Sequence, residues 1–178
     1  MKKNIIKLGI VLGILLTTVL WIIGVIPPDS RSYHHTFTKS TDLSNENVDR
    51  LYLGDKIDSE KVVSKYGEIH IQSRNVDDYN YYCLNKNIEV ATKKDDHNII
   101  RFCVDNETFK AKIKTEKGVG FGDKKDKVIK LYGENYYNRI EQGLDIIGYV
   151  DKEKNCSIEF WLIEEGVCYI RFDYNYVI

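Results

Sequence analysis

Hydrophobic residues follow three regimes along this chain. Residues 8–26 (LGIVLGILLTTVLWIIGVI) contain no charge, residues 29–47 are polar with no apolar period, and from residue 48 onward short alternating runs take over. A nineteen-residue apolar run makes a helix of roughly 28 Å, close to the hydrocarbon thickness of a bilayer. The run exceeds the length of a signal-peptide core, and no small-x-small cleavage site follows it. Trp21 near its outer end suits an interface, and Lys2, Lys3 and Lys7 before it place the N-terminus on the cytoplasmic side. The pattern therefore predicts a cytoplasmic segment 1–7, a single-pass transmembrane anchor 8–26 and an extracytoplasmic remainder at the cell membrane. Pro27 and Pro28 end the helix. The Ser- and Thr-rich stretch through residue 47 then reads as a polar stalk, residues 27–47.

Beyond the stalk the chain echoes itself. LGDKIDSEKVVSKYG at 53–67 returns as GVGFGDKKDKVIKLYG at 118–133, and NIEVATKKDDHNIIRFCV at 87–104 returns as SIEFWLIEEGVCYIRFDY at 157–174. Each copy predicts a short helix closed by glycine. One is residues 59–66 with Asp58 or Ser59 as cap, and the other is residues 124–132 with Asp123 as cap. Val62 with Tyr66, and Val128 with Leu131 and Tyr132, fall on one helical face. Strands are expected at 48–53, 68–73, 79–86, 87–92 and 98–104. In the second copy they are expected at 108–115, 144–151, 157–164 and 167–174. The fold class is thus α+β, two tandem repeats of short helix plus antiparallel β-meander (residues 48–104 and 105–178), preceded by one transmembrane helix.

The last hairpin fixes a register. A three-residue loop of Glu164, Glu165 and Gly166 pairs Ile163 with Val167, and so sets Trp161 opposite Tyr169 and Glu159 opposite Arg171 on one face. Ile158, Phe160, Leu162, Ile170 and Phe172 then share the other face, and a one-residue slip would mix the two. The same parity sets Glu89 opposite Arg101 in the first copy. Trp161, Tyr169, Arg171, Glu159, Arg101 and Glu89 form a candidate partner-binding face, because Trp and Tyr bury much area at low entropic cost. The blander account is a row of exposed cross-strand ion pairs worth ~0–1 kcal/mol each.

Composition narrows the chemistry. After the apolar run the chain carries 23 basic against 27 acidic side chains, a mildly acidic balance that does not attract phosphate backbones. Cys83, Cys103, Cys156 and Cys168 show no CxxC spacing and no histidine at zinc-finger distance, so no metal site is expected. Their even number allows disulfides in an exported domain, and their positions within strands equally suit buried free thiols. The three alternating glycines of 118–122 lack the GxGxxG spacing and any following GK[ST], so they mark a strand-to-helix turn rather than a phosphate loop. Cys83 or Cys103 with His70 or His97 is a conceivable thiol–base combination, and nothing local brings its members together. No catalytic residue and no cofactor is expected.

The glycine turn, the short helix ending in (L/Y)G and the following strands resemble the β-lactamase-inhibitor-protein-like fold, shared by small lipoproteins of outer-membrane β-barrel assembly. The matching pieces are GDKIDSEKVVSKYG with NIEVATKK and NIIRFCV, and GDKKDKVIKLYG with SIEFWLIEEGVCYIRF, spanning most of residues 48–174. The chain is also similar to membrane-anchored proteins of low-GC Gram-positive bacteria. The inhibitor proteins present a concave sheet to a target protein, so the resemblance implies a non-enzymatic module that binds a protein or envelope component. The alternatives are an envelope enzyme with a thiol nucleophile, or a structural or immunity-type membrane protein.

Overall fold

Eight antiparallel strands lie side by side in a single sheet of order β1-β2-β3-β4-β8-β7-β6-β5. In the computed structural model, residues 30–69, 71–76, 78–105 and 112–177 are described. The strands are β1 (Ile71–Val76), β2 (Tyr79–Asn85), β3 (Ile88–Lys93), β4 (Ile99–Asp105), β5 (Tyr137–Glu141), β6 (Leu144–Asp151), β7 (Cys156–Ile163) and β8 (Gly166–Tyr174). Three short helices accompany them: α1 (Arg31–Phe37), α2 (Glu60–Tyr66) and α3 (Lys125–Tyr132). The protein is mostly β, and this corrects the expected pair of tandem helix-plus-meander units behind a transmembrane helix.

The reason lies in the pairing of β4 with β8, which runs from Arg101 opposite Asp173 to Asp105 opposite Tyr169. Two separate meanders would leave four sheet edges with unpaired backbone groups, and joining them through β4 and β8 leaves two. The core is correspondingly continuous. Phe102 and Val104 from β4 share one buried cluster with Ile158 and Phe160 from β7 and Ile170 and Phe172 from β8. Val62 from α2, with Val128 and Tyr132 from α3, closes over the same face.

The membrane and localisation expectations are corrected as well. No helix among the described residues is long and apolar enough to cross a membrane, and the apolar run 8–26 lies outside the described residues. The chain divides into Met1–Phe37 and Thr38–Ile178. In the first, Tyr33 and Phe37 pack at a tilt one helical turn apart on α1, with centroids 4.7 Å apart. Residues 38–47, assigned by their polarity to a stalk, belong to the second unit. Thr41 donates its amide to Val150 O (2.8 Å), Leu43 donates its amide to Asp151 Oδ2 (2.9 Å), and the Leu43 side chain is buried in the core.

Local expectations fare unevenly. Helix α2 starts after Ser59 and ends at Gly67, whose φ of 81° suits a residue without a β-carbon. Helix α3 starts one residue later than expected, with Lys124 rather than Asp123 as its N-cap. Asp123 instead accepts the Gly120 amide on Oδ2 at 2.8 Å and pairs with Lys127. The strands expected at 48–53 and 108–115 are reduced, among the described residues, to isolated bridges at Val48, Leu51, Lys114 and Thr115. Strand β5 was not anticipated.

Candidate functional site

Alternation along β7 and β8 sends Ile158, Phe160, Ile170 and Phe172 into the core and their neighbours to the second face of the sheet. Strand pairing arranges that second face in transverse rows. One row runs Tyr137, Gly148, Glu159, Arg171, Cys103, Glu89, Cys83 across seven strands. Beside it lies Arg139, Ile146, Trp161, Tyr169, Asp105. On its other flank lies Tyr81, Ala91, Arg101, Asp173, Ser157, Val150.

At the centre sits Glu159, wholly buried. Its Oε1 accepts the Tyr137 hydroxyl (2.6 Å) and Arg139 Nε (2.8 Å). Its Oε2 accepts Arg139 Nη2 (3.0 Å) and Arg171 Nε (2.9 Å), and Arg171 Nη2 closes a second bond to it. A carboxylate out of water is tolerated only with this density of charge-assisted donors. Glu141 adds a second acid, 2.5 Å from Arg139 Nη2. Burial pulls the Arg139 guanidinium down, but the bonds and charge of Glu159 and Glu141 hold it above its ordinary value.

Arg171, fixed from below, lies over the Trp161 ring at 5.4 Å. Trp161 meets Tyr169 edge to face, with centroids 5.2 Å apart. The Trp161 indole N–H is buried without a hydrogen-bond partner. On the far flank Arg101 donates Nε to Asp173 Oδ2 (2.8 Å) and Nη2 to Val177 O (2.8 Å). Desolvation lowers the Arg101 guanidinium, and Asp173 more than offsets it.

Four of the six candidate residues, Glu159, Trp161, Tyr169 and Arg171, therefore touch one another. The Trp161–Tyr169 and Glu159–Arg171 pairs stand directly opposite, as the hairpin pattern requires. The loop differs in detail: Ile163 pairs with Gly166, and a bulge between Trp161 and Leu162 restores the register. Glu89 does not face Arg101. It faces Cys103, while Arg101 faces Ala91; the offset of two keeps parity, so both stay on the second face. The ion pairs are buried rather than exposed, which overturns the bland account of the charges. Arg139 and Asp173 were missed, and Tyr137 lies outside the expected six-residue face; the alternation of Tyr137 and Arg139 with polar Asn138 was the available signal.

The other chemistry resolves structurally. The Gly120 and Gly122 amides are used internally, on Asp123 Oδ2 and Val167 O, so the glycine turn offers no cradle for an anion. No group of three His, Cys, Asp or Glu among the described residues is arranged to hold a metal. All four cysteines are free thiols. Cys83 and Cys103 are two strands apart in one row, ~9–10 Å, beyond disulfide reach. Burial pushes the Cys156 thiol up to about 12. It also raises Cys103, against the pull of the Tyr169 hydroxyl, and Cys168. Activation requires the opposite shift. Among the candidate bases His70 lies outside the described residues, and His97 pairs with Asp58 in an exposed turn. No protein-family model, curated protein or solved structure matches the chain.

Proposed function

We propose that the chain is a non-enzymatic binding module whose second sheet face docks a protein partner around Trp161, Tyr169 and Arg171. One observation carries this reading: an aromatic pair and an arginine are held in place by a buried carboxylate. Side chains already immobilised lose little entropy on association, and Trp, Tyr and Arg dominate the energetics of interfaces. Both α2 and α3 send their buried residues to the opposite face. The resemblance to inhibitor proteins that present a sheet to a target points the same way.

The test places a photo-cross-linking amino acid at position 169 of the full chain, in the cells that make it. The proposal expects one dominant adduct. The purified adducted partner should bind the unmodified chain, and Trp161→Ala should weaken that binding at least about tenfold. Absence of an adduct, or binding indifferent to Trp161→Ala in a variant that still folds, overturns it.

A further inference from the structure

Residues 38–47 run as a strap against the end of β6 and the turn after it, and the strap's own Glu46 is turned inward. Glu46 is 3% exposed, and no donor meets either carboxylate oxygen in full hydrogen-bond geometry, although the Tyr132 hydroxyl and the Glu116 and Lys117 amides lie close enough to favour its charged form. Buried acids in folded proteins are nearly always paired, so an orphan calls for an explanation. The nearest candidates are otherwise engaged. Tyr132 donates its hydroxyl to Thr115 Oγ1 (2.8 Å), and the Lys117 ammonium sits on Asp42 O (2.9 Å) above the Tyr132 ring.

We propose that residues 38–47 form a proton-operated latch, closed on the sheet while Glu46 keeps its proton and released when that proton passes to solvent. On release, the Lys117 ammonium exchanges the Asp42 carbonyl for the Glu46 carboxylate. The inference is independent of the docking face.

Three observations support it. First, the strap is held by few bonds: Thr41 N to Val150 O, Leu43 N to Asp151 Oδ2, Lys152 N to Ser40 Oγ, Asn47 Nδ2 to Glu116 Oε2, and Lys117 Nζ to Asp42 O. Second, two cavities border it. Glu46 borders a cavity of about 360 Å³ with Asp42, Asn45 and Lys117, and another of about 110 Å³ with Lys154 and Cys156. Third, burial pushes the Glu46 carboxyl up to about 7, against the opposing pull of the Tyr132 hydroxyl, the Lys117 ammonium and the amides of Glu116 and Lys117. The charged and titratable groups around it are Lys117 and Glu116 from the turn, Tyr132 from α3, Asp42 from the strap, and Cys156 and Lys154 from the start of β7 and the turn before it.

The sign follows from linkage. A carboxyl whose value is higher in the closed strap than in an open, hydrated one favours closure at low pH, and that preference fades as pH rises through the closed-state value. The closed-to-open ratio should fall by up to about two orders of magnitude once pH is well above it.

The full chain, labelled with carboxyl-¹³C glutamate, tests this by titration alongside amide exchange. Protection at Thr41 and Leu43, corrected for intrinsic rates, should fall roughly thirtyfold from about pH 5.5 to about pH 8.5, levelling off once the Glu46 signal has titrated. Glu46→Gln should abolish the fall and Lys117→Met should move it to higher pH. Protection independent of pH, a fall that persists in Glu46→Gln, or a Glu46 signal titrating near the ordinary 4.5 overturns the latch. Should Glu46→Gln not fold, the direction of the Lys117→Met shift decides.

Discussion

The ring of Tyr137 lies across the backbone of Gly148, in the space that any β-carbon at position 148 would need. An ideal β-carbon there would come within 2.5 Å of the Tyr137 hydroxyl oxygen and closer still to its ring. The glycine is thus what lets Tyr137 reach Glu159. Gly148→Ala should expel the ring, strand its hydroxyl and destabilise the protein by about 2–4 kcal/mol, from overpacking plus a lost bond to a charged group. Urea denaturation measures it. In a Tyr137→Ala background the same substitution should cost much less, since the two residues share one interaction.

Glu159 provides a second prediction. Glu159→Gln keeps the shape but withdraws the charge from Arg139 and Arg171, whose side chains are 5% and 13% exposed. Breaking a buried pair on one side costs about 3–5 kcal/mol. Glu141, paired with both arginines, should hold the loss near the lower end. By contrast Asp55→Asn, which breaks the exposed pair with Lys61, should change the ion-pair contribution by no more than ~1 kcal/mol. Denaturation midpoints of the two variants, compared at one pH, separate buried from surface electrostatics. Equal effects would mean that water reaches Glu159.

What could be read from the chain alone was parity, because a strand's faces are set by neighbours one and two residues apart. Trp161 with Tyr169 and Glu159 with Arg171 follow from a hairpin whose loop is visible in the sequence. Glu89 and Arg101 are different. Strand β3 meets β4 two residues away from the expected register, with a further one-residue shift between Ala91 and Thr92, and an offset of two preserves parity and so leaves no mark on the hydrophobic pattern. The burial of Glu159 was equally invisible, since it needs Gly148 and Tyr137 from two other strands, and long-range pairings have no local signature. The strap misled for a related reason. Its single apolar anchor, Leu43, sits in a run that is otherwise polar, and its bonds to Val150, Asp151, Lys152 and Glu116 join residues far apart in the chain, which leave no local pattern.

The thiols yield a prediction that bears on the rival enzymatic reading. Cys156, raised to about 12 by burial, should carry about a thousandfold less thiolate near neutral pH than an ordinary cysteine. Cys103 and Cys168 are shifted in the same direction. In the native protein, alkylation of these three should be slow, and it should accelerate to the rate of a free thiol in denaturant. Mass spectrometry of time-resolved labelling reads each site. One of them reacting faster than a free thiol would restore a nucleophile to consideration.

Arg101 makes the last case, because it joins the sheet to the end of the chain. Its Nε is on Asp173, its Nη2 on the Val177 carbonyl, and Val177 is wholly buried with Tyr81, Ala91 and Ile100. Removing residues 175–178 takes away one acceptor and uncovers that small cluster, yet leaves the Asp173 carboxylate in place. Asp173→Asn does the reverse: it keeps the apolar cover and removes the charge that outweighs desolvation of the guanidinium. Losing the tail should cost about 2–3 kcal/mol, chiefly from exposing Val177 and its neighbours. Losing the charge should cost about 3–5 kcal/mol, since Arg101 is then buried without a counterion. Combined, the two should cost less than their sum, because an arginine released by the missing tail can turn its charge toward water. Strict additivity in a denaturation series would mean that Arg101 stays where it is, with packing alone retaining the tail.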